Sequence, residues 1–190
     1  MNLVEESKRW HDNATALIKS SNLVTLLKQF GEVSLTGSYV YNLMLDSDID
    51  FFVSNENPTR KLADDMAAEL IHDGYWNSIM FCDWPTNVPK GPYFCVKRDF
   101  RGHRWKIDIM MVTPGQLAEL LPSREIYSHY SDVQKEQILE MKVARRKGLL
   151  PRDTETALIY DAVLKNNVQG IDNLKQYLKK QNKTRNPAIS

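Results

Sequence analysis

The sequence predicts an α/β (α+β) fold: a small mixed β-sheet packed with helices, followed by a helical C-terminal region. Two observations carry this. Between residues 32 and 112 the apolar pattern switches repeatedly between period-two alternation and helical spacing, whereas everything after Thr113-Pro114 carries helical spacing alone. The chain has 190 residues, 42% hydrophobic and 26% charged, which suits a globular protein that buries a core without covalent staples. The change near Thr113 divides a core, residues 1–113 with its N-terminal helices, from a helical region, residues 114–190.

Val4, Trp10, Ala14, Leu17 and Ile18 recur at helical spacing and predict a helix from Leu3 to Ile18. A second runs from Leu23 to Phe30 and stops at Gly31. Glu32 to Gly37 alternates polar and apolar, as a strand ending at a glycine does. Ser38 to Leu45 fits one or two helical turns, and Asp48-Ile49-Asp50-Phe51-Phe52-Val53 is the next strand. Pro58 suits the first turn of a helix whose face carries Leu62, Met66, Ala67, Leu70 and Ile71 and which ends at Gly74. Then come a strand from Trp76 to Cys82, a proline-rich connection from Asp83 to Pro92, and two strands, Tyr93 to Phe100 and Arg104 to Val112, forming a hairpin around Arg101-Gly102. Helices follow over Gly115–Leu121, Ile126–Lys147, Thr154–Asn166 and Ile171–Lys180, with Thr154 and Asp172 as caps, and Gln181 to Ser190 is a polar, frayed tail.

Composition narrows the function. Twenty-five basic residues face twenty-four acidic ones, so no long-range field gathers a polyanion, which argues against nucleic acid as a partner. Cys82 and Cys95 form no CxxC pair and no spaced set with the four histidines, so they read as buried free thiols rather than a zinc site or a disulfide. No apolar run reaches the roughly 20 residues of a membrane span, and the N-terminus, MNLVEESKRWHDN, is unlike a signal peptide. A cytoplasmic setting without membrane contact is expected.

The informative segment is Leu35-Thr36-Gly37-Ser38, then nine residues, then Asp48-Ile49-Asp50. Side chains at i and i+2 of a strand share a face, so Asp48 and Asp50 present two carboxylates roughly 7 Å apart along it. Two like charges side by side need a counter-charge, and a divalent cation is the usual one. Gly37 lets backbone approach a ligand closely, and Ser38 offers a hydroxyl beside the free N–H groups of a helix start, which favour phosphate. Taken singly, each feature has a plainer explanation. Gly-Ser is a common turn, and paired aspartates often guard a strand edge. Phe51-Phe52-Val53, apolar on both faces, speaks against an edge. The basic residues Lys97, Arg98, Arg101, Arg104 and Lys106 read as a solvated hairpin balanced by Asp99, with Lys106, which shares a face with Asp108 by strand alternation, the best candidate for touching the site.

Taken together, these residues resemble the nucleotidyltransferase superfamily typified by DNA polymerase β. Its signature is an apolar residue, Gly-Gly or Gly-Ser, a gap near ten residues and Asp-x-Asp in an apolar frame, then a third carboxylate on a later strand. Thr36-Gly37-Ser38 and Ser47-Asp48-Ile49-Asp50 match it, and Asp108 between Ile107 and Ile109 supplies the third carboxylate; the resemblance covers roughly residues 30–112. It implies a metal-dependent nucleotidyltransferase moving a nucleoside monophosphate from an NTP, by default ATP, to a hydroxyl. Asp48, Asp50 and Asp108 would be catalytic and would hold two Mg²⁺ ions, with Mn²⁺ an alternative. Gly37, Ser38 and Lys106 would bind the nucleotide; Tyr39 to Asp46 departs from the pattern in lacking the arginine that small members often carry near the Gly-Ser, so the charge that neutralises the triphosphate comes from elsewhere. Balanced charge and short length favour a small-molecule or protein acceptor, with the C-terminal helices as a second wall. The alternative is a catalytically silent relative that binds nucleotide or a partner; loss of any one carboxylate would favour it, and none is lost.

Overall fold

The computed structural model describes residues 2–82, 91–151 and 154–185. Residues 83–90 of the expected proline-rich connection and residues 186–190 of the expected frayed tail lie outside the described residues, whereas Gln181 to Arg185 of that tail continue the last helix. In chain order the elements are α1 (Leu3–Ser20), α2 (Leu23–Leu27), β1 (Glu32–Thr36), α3 (Gly37–Val40), β2 (Asp48–Ser54), α4 (Arg60–Asp73), β3 (Ser78–Cys82), β4 (Tyr93–Phe100), β5 (His103–Val112), α5 (Pro114–Tyr127), α6 (Asp132–Arg146), α7 (Thr156–Tyr160) running into a π-helical turn (Asp161–Lys165), and α8 (Ile171–Arg185).

The strands make a mixed five-stranded sheet in the order β1-β2-β5-β4-β3. β2 lies inside it, antiparallel to β1 and parallel to β5. β4 and β5 form the expected hairpin, with Phe100 paired to His103 across Arg101-Gly102. Both turn residues have positive φ, 50° and 77°, the geometry that matches the twist of a two-residue hairpin.

Lys8–Glu125 forms one compact unit and contains the sheet. One sheet face carries its core. Ile49, Phe51 and Val53 of β2, Phe94 and Val96 of β4, and Trp105, Ile107, Ile109 and Met111 of β5 cluster with Ala14 and Leu17 of α1, Leu23, Leu26 and Leu27 of α2, and Ala63, Met66 and Leu70 of α4. Strand alternation leaves Asp48, Asp50, Lys106 and Asp108 on the opposite face. The other compact unit comprises the first seven residues and Ile126–Ser190. Its buried residues include Ile138, Leu139, Met141 and Ala144 of α6, Ile159 and Val163 around the π-helical turn, and Leu174 and Leu178 of α8. Among the described residues no helix is long and apolar enough to cross a membrane.

Several local expectations are corrected. Thr59, not Pro58, sets the start of α4: its side chain accepts from Leu62 N, while Gly74 at φ 65° ends the helix as expected. The buried stripe of α4 is Ala63, Met66 and Leu70, and Ile71 is 66% exposed, because a 3.6-residue period carries position 71 off the face that holds 63, 66 and 70. The helices expected over Gly115–Leu121 and from Ile126 are one, α5, opened by a reciprocal pair of bonds between Thr113 and Gln116. The next helix starts instead at Ser131, whose capping box with Gln134 satisfies the first free N–H groups of α6. Thr154 does not cap α7. It closes a turn onto Pro151 O, and the helix begins beyond Glu155. Asp172 lies inside α8, paired with Lys175. Cys95 is buried as expected, but Cys82 is exposed, because β3 is an edge strand and Cys82 is its last residue.

Two isoleucines check this partition. Ile107→Ala removes a fully buried side chain beneath the carboxylate face and should cost about 2–5 kcal/mol in urea unfolding, whereas Ile71→Ala should stay within about 0.5 kcal/mol of wild type.

Candidate active site

The site begins with strand register. In the parallel pair β2–β5, Asp48 lies opposite Lys106 and Asp50 opposite Asp108, with Ile49 opposite Ile107 and Phe51 opposite Ile109 between and beyond them. A slip of one residue would turn these buried residues away from the core and bury the charges instead, so packing fixes the register. Ser47 adds a clasp at the mouth of the pair: its carbonyl accepts from Lys106 N and its hydroxyl donates to Arg104 O, both at 2.8 Å.

This register brings the three predicted carboxylates together. Asp48, Asp50 and Asp108 each offer one oxygen, and these oxygens lie within 4.8 Å of one another. That is tighter than the backbone spacing along one strand, because the third carboxylate comes from the neighbouring strand and the side chains converge. Lys106 Nζ lies 2.7 Å from Asp108 Oδ2 and 3.3 Å from Asp48 Oδ2. Tyr93 donates its hydroxyl to Asp108 Oδ1 at 2.5 Å. Asp48 Oδ1 is buried and has no hydrogen-bond partner among the described residues.

The electrostatics follow from burial and crowding. Burial raises the Asp50 carboxyl first, the charges of Asp48 and Asp108 add to it, and Lys106 only partly offsets them, so its pKa is pushed up to about 7. Asp48 is also raised by burial, against the pull of Lys106. For Lys106, burial opposes the charged form, but the hydrogen bond to Asp108 and the charges of Asp48 and Asp108 prevail, and its pKa rises. Burial and the bond to Asp108 raise the Tyr93 phenol, which stays a donor. These residues fit a divalent cation: an all-oxygen donor set, one orphaned buried oxygen, and a carboxylate that sheds its proton near neutrality unless a positive charge joins it sooner.

Gly37 and Ser38 follow directly on Thr36, which pairs with Asp50 across β1–β2. Gly37 has φ +67°, and a Cβ placed on it would overlap Asp50 Oδ2. The expectation was that a side chain here would strike a bound triphosphate. The first group it would strike is the Asp50 carboxylate, so Gly37→Val would disturb the carboxylates together with any phosphate site. The short helix α3 is tied to α1: the Tyr39 ring stacks on His11 at 4.6 Å, and Thr15 Oγ1 meets the Tyr39 hydroxyl at 3.1 Å. The helix that Gly37 and Ser38 open is thus anchored to the core unit.

The basic hairpin disperses. Arg104 pairs with Asp99 at 3.5 Å, Arg98 donates to Tyr75 O and stacks on the Tyr75 ring, and Arg101 donates to Asn13. Lys106 alone reaches the carboxylates. Sequence reasoning missed Tyr93, Cys95 and Lys97, which share the carboxylate face. Counting back from the two-residue turn pairs Lys97 with Lys106 and Cys95 with Asp108, so the signal was present in the hairpin length. Burial, and then the Asp108 charge, raise the Cys95 thiol, leaving it a neutral wall of the site.

The raised Asp50 carboxyl makes a pH-dependent prediction for metal-free protein. The folded state holds this proton up to about 7 while the unfolded chain releases it near 3.8, so the contribution is full below 3.8 and is lost as pH rises through 7. Asp50→Asn should therefore stabilise metal-free protein at pH 8, by on the order of 1–4 kcal/mol, and change it little at pH 4. Equal effects at the two values, measured by urea unfolding in chelator, would contradict the assignment.

No family model and no curated protein matches the chain. Solved structures do. The chain is similar to the Cid1 poly(U) polymerase with Mg and 3′-dATP bound, at 20% identity over 74% of this chain and 42% of that one, with a TM-score of 0.54. It is similar to the poly(A) polymerase complex GLD-2–GLD-3 at 14% identity, over 86% and 59% of the two chains, with a TM-score of 0.56. It is also similar to the GLD-2/RNP-8 complex at 14% identity, over 85% and 54%, with a TM-score of 0.51. The chain spans about half the length of these neighbours. The expectation that set nucleic acid aside finds no support among them, since they are named as poly(U) and poly(A) polymerases. The shared architecture is the nucleotidyltransferase fold.

Proposed function

We propose that this chain is a metal-dependent nucleotidyltransferase that moves a nucleoside monophosphate from a nucleoside triphosphate, with ATP the first candidate, to an acceptor hydroxyl. One observation carries the reading: three carboxylates, one with an orphaned oxygen, converge on the face of the sheet opposite its core, in a nucleotidyltransferase-like fold. Asp48, Asp50 and Asp108 would hold Mg²⁺, or Mn²⁺ in its place, which when bound supplies charge neutralisation for the triphosphate.

The remaining chemistry belongs to the chain. Asp108 accepts the proton of the acceptor hydroxyl. The freed oxygen bonds to the α-phosphorus, the bond from that phosphorus to the bridging oxygen breaks, and pyrophosphate leaves with the electron pair. Tyr93, donating to one oxygen of Asp108, orients the carboxylate for this transfer. Gly37 keeps the space that Asp50 occupies, and Gly37, Ser38 and Lys106 border the place of the phosphates. Residues 1–113 supply these groups as the catalytic core, and residues 114–190 follow as a helical region whose first helix, α5, belongs largely to the same compact unit as the sheet. The free thiols Cys82 and Cys95 suit a reducing cytoplasm.

The acceptor classes are three: a small molecule, a protein side chain, and the end of a polynucleotide, the last drawn from the names of the structural neighbours. Each α-labelled ribonucleoside triphosphate with Mg²⁺ should be offered together with hydroxyl-bearing small molecules, candidate proteins and short oligoribonucleotides. Wild type should transfer label to one class, and Asp108→Ala, folded by circular dichroism, should lose at least 100-fold (an order-of-magnitude expectation for a lost acid–base group). No transfer to any class, with no calorimetric binding of any triphosphate, would leave the fold without the activity.

A further inference from the structure

We infer that Lys106 is a built-in second cation: its ammonium takes the place of one of the two divalent ions that a site of this kind would otherwise hold, so the chain binds a single ion. The inference rests on the nucleotidyltransferase reading above. A two-ion site places its ions about 3.5–4 Å apart, each drawing oxygens from the same carboxylate group. Here Lys106 Nζ bridges Asp108 Oδ2 at 2.7 Å and Asp48 Oδ2 at 3.3 Å, so a positive charge of the chain already lies between these two aspartates. Tyr93 holds the other oxygen of Asp108. Both oxygens of Asp108 therefore accept from the chain, and each keeps a lone pair for a metal or a proton.

The other side of the group is different. Asp50 has no ion pair among the described residues, and Asp48 Oδ1 is buried without a partner. One place is left open, where Asp48 Oδ1 and Asp50 face Asp108, and one is filled. The β2–β5 register sets Lys106 directly opposite Asp48, and alternation along β5 puts it on the face of Asp108. Mg²⁺ needs ligands at about 2.0–2.1 Å, which cannot be met between two oxygens already holding an ammonium, and a second dication beside that charge would be repelled. Two of the three ammonium protons suffice for the aspartates, which leaves one donor for substrate oxygen.

Mn²⁺ counting tests this. The full-length protein is saturated with Mn²⁺ and an α,β-methylene triphosphate, bound ions per chain are counted by equilibrium dialysis, and electron paramagnetic resonance reads coupling between ions. Wild type should hold one ion with an uncoupled spectrum. Lys106→Met should hold two coupled ions, and Lys106→Arg should stay at one. Two coupled ions in wild type would overturn the inference while leaving the transferase reading intact, and this arm needs no variant to fold. One ion in both wild type and Lys106→Met would show that Lys106 excludes nothing, again against the inference. No bound ion in wild type would remove both the inference and the functional reading.

Discussion

The structure of the site depends on one pairing, the parallel contact between β2 and β5. Seven residue pairs run from Asp48–Lys106 to Ser54–Val112. Their alternate members, Ile49, Phe51, Ile107 and Ile109, are fully buried. Burying these four apolar side chains stabilises the fold by several kcal/mol, and the same alternation obliges the intervening positions to face the other way. The carboxylates are thus placed by what packs beneath them. Parallel strands need a long crossover, and residues 55–102, with α4, β3 and β4, provide it.

Placing three carboxylates within one cluster is costly, and the fold answers the cost unevenly. Asp108 receives Lys106 and Tyr93, whereas Asp50 receives only a glycine that leaves it room, and burial with the neighbouring charges raises its pKa to about 7. An arrangement built for stability alone would have paired Asp50 as well or replaced it with an apolar residue of similar size. In the proposed reading, the unpaired half is where a cation from solution would complete the structure. The paired half marks where the chain provides the charge itself. This asymmetry links the stability of the metal-free fold to the chemistry proposed for it.

Much of this was legible in the sequence because two strong patterns coincide. Period-two alternation with apolar framing placed Asp48, Asp50 and Asp108 on one face, and Arg101-Gly102 announced the hairpin that brings Asp108 into the sheet. Lys106 was legible as the basic residue nearest Asp108 on that face of its strand, but its bridge between two aspartates was not, since it depends on β2 and β5 being parallel neighbours in this register. Tyr93 was hidden for a related reason: its contact is diagonal across β4–β5, where Tyr93 itself pairs with Met110. Cys82 and Ile71 were misjudged because exposure depends on which strand ends at the sheet edge and on a fraction of a helical turn. Thr59 and Ser131 show that cap chemistry, when its side-chain partner is named, locates a helix start better than a nearby proline or the first apolar residue.

The central claim is that the unpaired carboxylates complete themselves with a divalent cation. Ligand linkage reads this directly, because an ion that binds only the folded state stabilises it in proportion to the logarithm of its concentration. Thermal unfolding at increasing Mn²⁺, near pH 8, should show the melting temperature of wild type climbing by several degrees. Asp50→Asn and Asp48→Asn should start higher without metal and climb little or not at all. A wild-type melting temperature indifferent to Mn²⁺, or one that climbs equally in all three proteins, would contradict the account.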